Sequence, residues 1–128
     1  MSNYEQSERL KSVADKVIES NAELLHLKDP ACRIGYQTSD QAKKRNGGAT
    51  IVYADTMLVS EKLKAFIPYD FIITFYWPNC ETLSPEKLER LMYHELRHVG
   101  FADGKMFIVP HDIEDFRSII DTWGFDWL

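Results

Sequence analysis

The stretch Ser84-Pro85-Glu86-Lys87-Leu88-Glu89-Arg90-Leu91-Met92-Tyr93-His94-Glu95-Leu96-Arg97-His98-Val99-Gly100 decides how the rest of this 128-residue chain is read. Ser84 can accept a backbone N–H as an N-cap, and Pro85 stands at the first helical position, where a missing N–H costs nothing. Leu83 and Leu88 have the spacing of a hydrophobic staple. From there Leu88, Leu91, Met92, Leu96 and Val99 recur at helical spacing, which predicts an amphipathic helix with Gly100 as its stop.

Inside that helix His94-Glu95-Leu96-Arg97-His98 is an H-E-x-x-H pattern. Residues four apart project from one helix face, so two imidazoles there can meet a single tetrahedral ion. Glu95 leaves at a neighbouring angle, beside the water of such an ion rather than as a ligand. Zinc acidifies that water, and Glu95 is then the general base. At the chain's own content of His and Glu, the pattern arises by chance with a probability of about one in a hundred. On a signalled helix we therefore read a zinc site, not two ordinary histidines beside a Glu95–Arg97 contact.

A catalytic zinc needs a third protein ligand and an open position. His111 is the leading candidate, since His94, His98 and His111 all fall in the C-terminal part of the chain. Glu114, Asp115, Asp112 and Asp103 compete for the role, because zinc also accepts carboxylate oxygens. Asp115, one helical turn after His111, can instead hold a histidine ligand's second N–H, or simply favour a helix N-terminus. His26, in Leu24-Leu25-His26-Leu27, reads as a histidine at a helix end. An oxyanion partner is also required of a peptidase, with Tyr36, Tyr69, Tyr93 and Arg97 as the residues to choose among.

Upstream, Leu10, Val13, Val17, Leu24 and Leu25 predict a helix from about Tyr4 to Leu27, stopped by Asp29-Pro30. Cys32 to Thr38 and Ala49 to Asp55 read as an antiparallel pair, with Asn46-Gly47-Gly48 turning the chain back. The basic run Lys43-Lys44-Arg45 beside that turn reads as a solvated loop. Met57 to Phe66 suits a short helix. Asp70 to Trp77 is apolar on both faces, as expected of a strand covered by helices on one side and packed or partly occluded on the other. After a loop at Asp103-Gly104 comes a short apolar piece, Met106 to Val109, then a helix from about His111 or Asp112 to Trp123. These elements make an α+β chain, read as one domain over residues 1–128.

Composition narrows the function. A formal net charge of −5 and a pI near 5.3 argue against general nucleic-acid binding, which needs clustered cations. The N-terminus has no basic start followed by an apolar run, so we expect no secretory signal, no membrane span and a cytoplasmic protein. Cys32 and Cys80 belong to no Cys-x-x-Cys pair and read as reduced core residues.

The stretch from Pro68-Tyr69-Asp70-Phe71-Ile72-Ile73 through His94-Glu95-Leu96-Arg97-His98 to His111-Asp112-Ile113-Glu114-Asp115-Phe116 and Trp123-Gly124 resembles the small metallopeptidases encoded by bacteriophages and prophages. The resemblance covers about the C-terminal half. It implies a minimal zincin-like fold, related in outline to SprT-like and minigluzincin proteins. In that fold a small, mostly antiparallel sheet packs with an N-terminal helix, the H-E-x-x-H helix and a C-terminal helix. It implies a protein or peptide substrate, a Zn²⁺ cofactor and, for a phage-encoded chain, the host cytoplasm. Metzincins continue the motif with Gly and His at three-residue steps; Phe101 and Gly104 stand there instead. Two other readings are a zinc-stabilised binding module without turnover and a hydrolase of a non-protein amide bond.

Overall fold

A computed structural model of the chain describes residues 3–48 and 50–110. The first strand, β1 (Tyr4–Gln6), stands at a sheet edge, and Ser7 then caps α1 (Glu8–Ser20) by accepting the Leu10 N–H at 3.1 Å. The helix expected from Tyr4 to Leu27 is therefore shorter. Its first residues are taken by a ladder in which Tyr4–Gln6 face Gln37–Ser39. Asn21 ends α1: its backbone is extended and its side-chain Nδ2 donates to the Val17 carbonyl at 2.7 Å, satisfying a helix-end acceptor. Ala22–Lys28 continues as a 3₁₀ segment that buries Leu24 and Leu27.

Four strands form the main sheet in the order β1, β2 (Ile34–Ser39), β6 (Phe71–Tyr76), β5 (Ala54–Leu58). The central β2–β6 pair is parallel, whereas β1–β2 and β5–β6 are antiparallel. The fold is α+β, and its sheet is mixed at the centre. The expected pairing of Cys32–Thr38 with Ala49–Asp55 does not form. Residues 50–58 divide instead into β4 (Thr50–Val52) and β5, and β4 pairs with β3 (Lys43–Arg45) as a hairpin turned by Asn46–Gly48. The Lys43-Lys44-Arg45 run is thus a strand rather than a loop. Met57 and Leu58 finish β5, and only Glu61–Leu63 is helical, as a 3₁₀ turn.

The strand read from Asp70 to Trp77 is β6, interior to the sheet. Phe71, Ile73 and Phe75 are fully buried on the face covered by α1 and α3 (Pro85–Leu96), among Leu10, Leu88, Met92 and Leu96. Each such side chain contributes about 1.5–3 kcal/mol by leaving water. On the opposite face, Thr74 Oγ1 accepts from Gln37 Nε2 at 2.9 Å, and Tyr76 donates to Asp55 Oδ2 at 2.7 Å. At the start of β6 the buried Asp70 accepts from the backbone and guanidinium of Arg33 and lies 3.1 Å from Lys64 Nζ. Burial alone would raise its pKa, but these partners hold it below the ordinary value.

A short helical turn, α2 (Trp77–Cys80), leads to α3. Beyond α3 the chain returns as β7 (Val99–Ala102) and β8 (Lys105–Ile108), an antiparallel hairpin. Cys32 and Cys80 are buried free thiols, whose pKa values burial pushes up to about 11 and about 12. No described helix is long and apolar enough to cross a membrane. The C-terminal helix expected from about His111 or Asp112 to Trp123 lies outside the described residues.

Candidate metal centre

The start of α3 is the one its sequence specifies. Ser84 Oγ accepts the Lys87 N–H at 3.2 Å, Pro85 opens the helix, and Leu88, Leu91, Met92, Glu95 and Leu96 are buried. The end differs. The helix stops at Leu96, one turn before the expected stop at Gly100, and Val99 is buried from a strand rather than a helix. The Arg97 N–H still reaches the Tyr93 carbonyl at 3.0 Å, but the His98 N–H turns to Glu95 O at 3.0 Å. That tightened turn releases the chain into β7.

Pairing with β8 drives the early stop. Asp103 and Gly104 both have positive φ, 53° and 74°, at the tip of a two-residue turn joining Ala102 to Lys105. Gly100 has a packing role there. A Cβ at this position would lie 2.3 Å from the Phe107 ring and 2.6 Å from the Phe107 carbonyl oxygen. The Asp-Gly dipeptide was the signal for this hairpin, and the helical spacing of Val99 concealed it.

His94 therefore sits in the last turn of α3, and His98 just beyond it. Their rings meet edge to face, with centroids 5.1 Å apart and planes at 87°. Val109 fastens His98 from outside the helix. Its N–H donates to His98 O at 2.8 Å, and its carbonyl lies 2.7 Å from His98 Nδ1. A carbonyl only accepts, so Nδ1 carries the hydrogen, and in the neutral ring the lone pair lies on Nε2. An imidazole oriented by a backbone carbonyl in this way is a suitable metal ligand.

Glu95 is 4% exposed. Its Oε1 lies 2.9 Å, and its main-chain oxygen 3.1 Å, from the Oγ1 of Thr56 on β5. Burial pushes the carboxyl up to about 7; the Thr56 hydrogen bond works against that, Asp55 adds to it and Arg45 opposes it. A divalent cation alongside would lower the value again.

Across the sheet from this site Lys43 Nζ and the Tyr76 hydroxyl converge on Asp55 Oδ2, each at 2.7 Å. Asn79 Nδ2 donates to the carbonyls of Lys43 and Val52 at 3.2 and 3.0 Å, which ties the β3–β4 hairpin to α2. Neither Thr56 nor this cluster carries a motif, so sequence reading passed over both.

Among the described residues, no three His, Cys, Asp or Glu side chains gather in a way that could hold a metal ion. Asp103 is exposed at the β7–β8 tip. His111, Asp112, Glu114 and Asp115 lie outside the described residues. Of the oxyanion candidates, Tyr93 donates to Glu23 Oε1 at 2.6 Å and accepts from Arg97 at 2.9 Å, facing the 3₁₀ segment. Tyr36 is a core residue, and Tyr69 packs its ring over Gly35. His26 is exposed in the 3₁₀ segment.

Compared with known proteins, residues 2–128 match a family model described as "Putative phage metallopeptidase". No curated protein and no solved structure matches the chain.

Proposed function

The chain belongs to this phage metallopeptidase family, and we propose from that premise that it is a zinc-dependent peptidase of zincin-like arrangement. His94, His98 and His111 would hold the ion, with Glu95 as general base. The observation that carries this reading is the meeting of a close His94–His98 pair with a buried carboxylate held against a sheet edge. His111 is favoured by covalent reach. Val109 is bonded to His98 through both its backbone groups, and His111 follows it by two residues in the chain.

Zinc, when bound, supplies Lewis-acid polarisation of the scissile carbonyl and acidifies water at the site. The chain's own residues do the rest. β5 is an edge strand running past α3, and an extended peptide adding to that edge would bring its backbone alongside Glu95. Glu95 takes a proton from the attacking water and delivers it to the leaving amine, a task suited to a buried carboxyl held beside the histidine pair. The Val109 carbonyl, 2.7 Å from His98 Nδ1, fixes the orientation of that ring.

The deciding test is Glu95→Gln in the full chain. Zinc content and melting temperature should stay at the wild-type level, while hydrolysis of fluorescently labelled casein falls by at least about 100-fold. A variant with its zinc, its fold and full activity would refute the hydrolase reading. A zinc-loaded wild type that cleaves no peptide would favour a binding module.

A further inference from the structure

Thr56 stands outside the H-E-x-x-H pattern, on the strand that forms the sheet edge. In the β5–β6 register it is opposite Ile73, which places its side chain on the face covered by the helices. From there its hydroxyl reaches Glu95 twice, at 2.9 Å from Oε1 and 3.1 Å from the main-chain oxygen. The terminal torsion of a glutamate is broad, so burial by itself does not decide where the carboxylate oxygens point. A fixed hydrogen bond does.

We propose that Thr56 is the positioning residue of Glu95, its hydroxyl holding the carboxylate against the edge strand along which a peptide would lie. This rests on Glu95 acting as the base. A hydroxyl has one hydrogen and two lone pairs. That hydrogen is donated to Oε1 at the shorter contact. The same hydroxyl stands 3.1 Å from the Glu95 carbonyl, so its hydrogen can serve either acceptor. Valine has the same shape and can serve neither, whereas serine can serve either.

The experiment compares Thr56→Val and Thr56→Ser in the zinc-loaded full chain. kcat and KM are measured on labelled casein, and the Glu95 carboxyl carbon is followed by NMR with glutamate labelled at Cδ. That signal is identified by its loss in Glu95→Gln. Val should lower kcat by about 10- to 100-fold with KM little changed, and should shift the Glu95 signal. Ser should restore both. A folded Val variant with wild-type kcat and an unmoved signal would overturn the proposal, as would equal losses in Val and Ser without a shift. If Val does not fold, Thr56→Ala carries the same comparison. If the wild type cleaves no casein, the peptidase reading fails, and the carboxyl signal alone decides whether Thr56 holds Glu95.

Discussion

His94 and His98 are four residues apart and would serve one ion, yet different structures hold them. His94 is placed by α3, whose start is set by Ser84 and Pro85 and whose buried stripe packs on the sheet. His98 lies beyond the helix, and its orientation is set from eleven residues downstream by Val109, at the end of the β7–β8 hairpin. The lesson is that an i, i+4 pair can be half local and half tertiary. Perturbing the hairpin should therefore unseat His98 while leaving His94 in place.

Removing either ring outright should give the largest effect. His94→Ala and His98→Ala should each purify almost without zinc, measured by elemental analysis after dialysis, because a site left with two ligands holds the ion poorly. His111→Ala should behave the same way, whereas Glu114→Ala should keep most of its metal. Full zinc in both His94→Ala and His98→Ala would dissolve the site. Loss in Glu114→Ala with retention in His111→Ala would pass the third position to the glutamate.

The next prediction separates the two anchors. Gly100→Ala places a methyl against the Phe107 ring and carbonyl, and backbone must move to admit it. We expect a stability loss of about 1–3 kcal/mol in denaturant unfolding. Zinc affinity should fall by about 10- to 100-fold through the displaced Val109–His98 contact. Wild-type affinity in a folded Gly100→Ala would show that the hairpin does not govern His98.

What the sequence disclosed follows the same division. The Ser84-Pro85 start, the apolar strand through Phe71–Tyr76 and the His94-Glu95-His98 spacing are written in neighbouring residues, so local physics sufficed. The end of α3, the division of residues 50–58 and the parallel β2–β6 pair depend on partners distant in the chain. Propensity does not encode such partners. Val99 fitted a helical stripe equally well until Gly100 packed against Phe107. Thr56 had no chance of notice, because a threonine in a strand is ordinary and its meaning lies wholly in its contact with Glu95.

A perturbation remote from both ends of α3 should affect them alike, and Asp70 supplies one. Its carboxyl is held below the ordinary value, so its contribution to stability is complete above the ordinary carboxylate range. That contribution is lost as pH falls through this range towards the folded value. Stability of the wild type should therefore decline on acidification below about pH 4. Asp70→Asn should begin about 1–3 kcal/mol less stable at neutral pH and decline less steeply. Zinc affinity at neutral pH should not change. Unfolding curves over a pH series measure the slope, and identical slopes in the two proteins would deny Asp70 this role.

The smallest effect belongs to the end of α3 opposite the histidines. Ser84→Ala removes the side-chain acceptor of the Lys87 N–H and leaves Pro85 and the buried stripe in place. Loss of such a cap costs about 1 kcal/mol, which denaturant unfolding resolves. His94 and Glu95 lie more than two turns further along, and fraying at a helix start is confined to the first turn or so. Leu88, Leu91, Met92 and Leu96 keep the rest of α3 on the sheet. Zinc affinity should accordingly remain within about two-fold of wild type, well short of the change expected from an altered partner of a ligand. The contrast with Gly100→Ala is the point of the measurement. If Ser84→Ala weakened zinc as much as Gly100→Ala does at equal cost in stability, metal binding would follow global stability, and the separate anchoring of His94 and His98 would have to be given up.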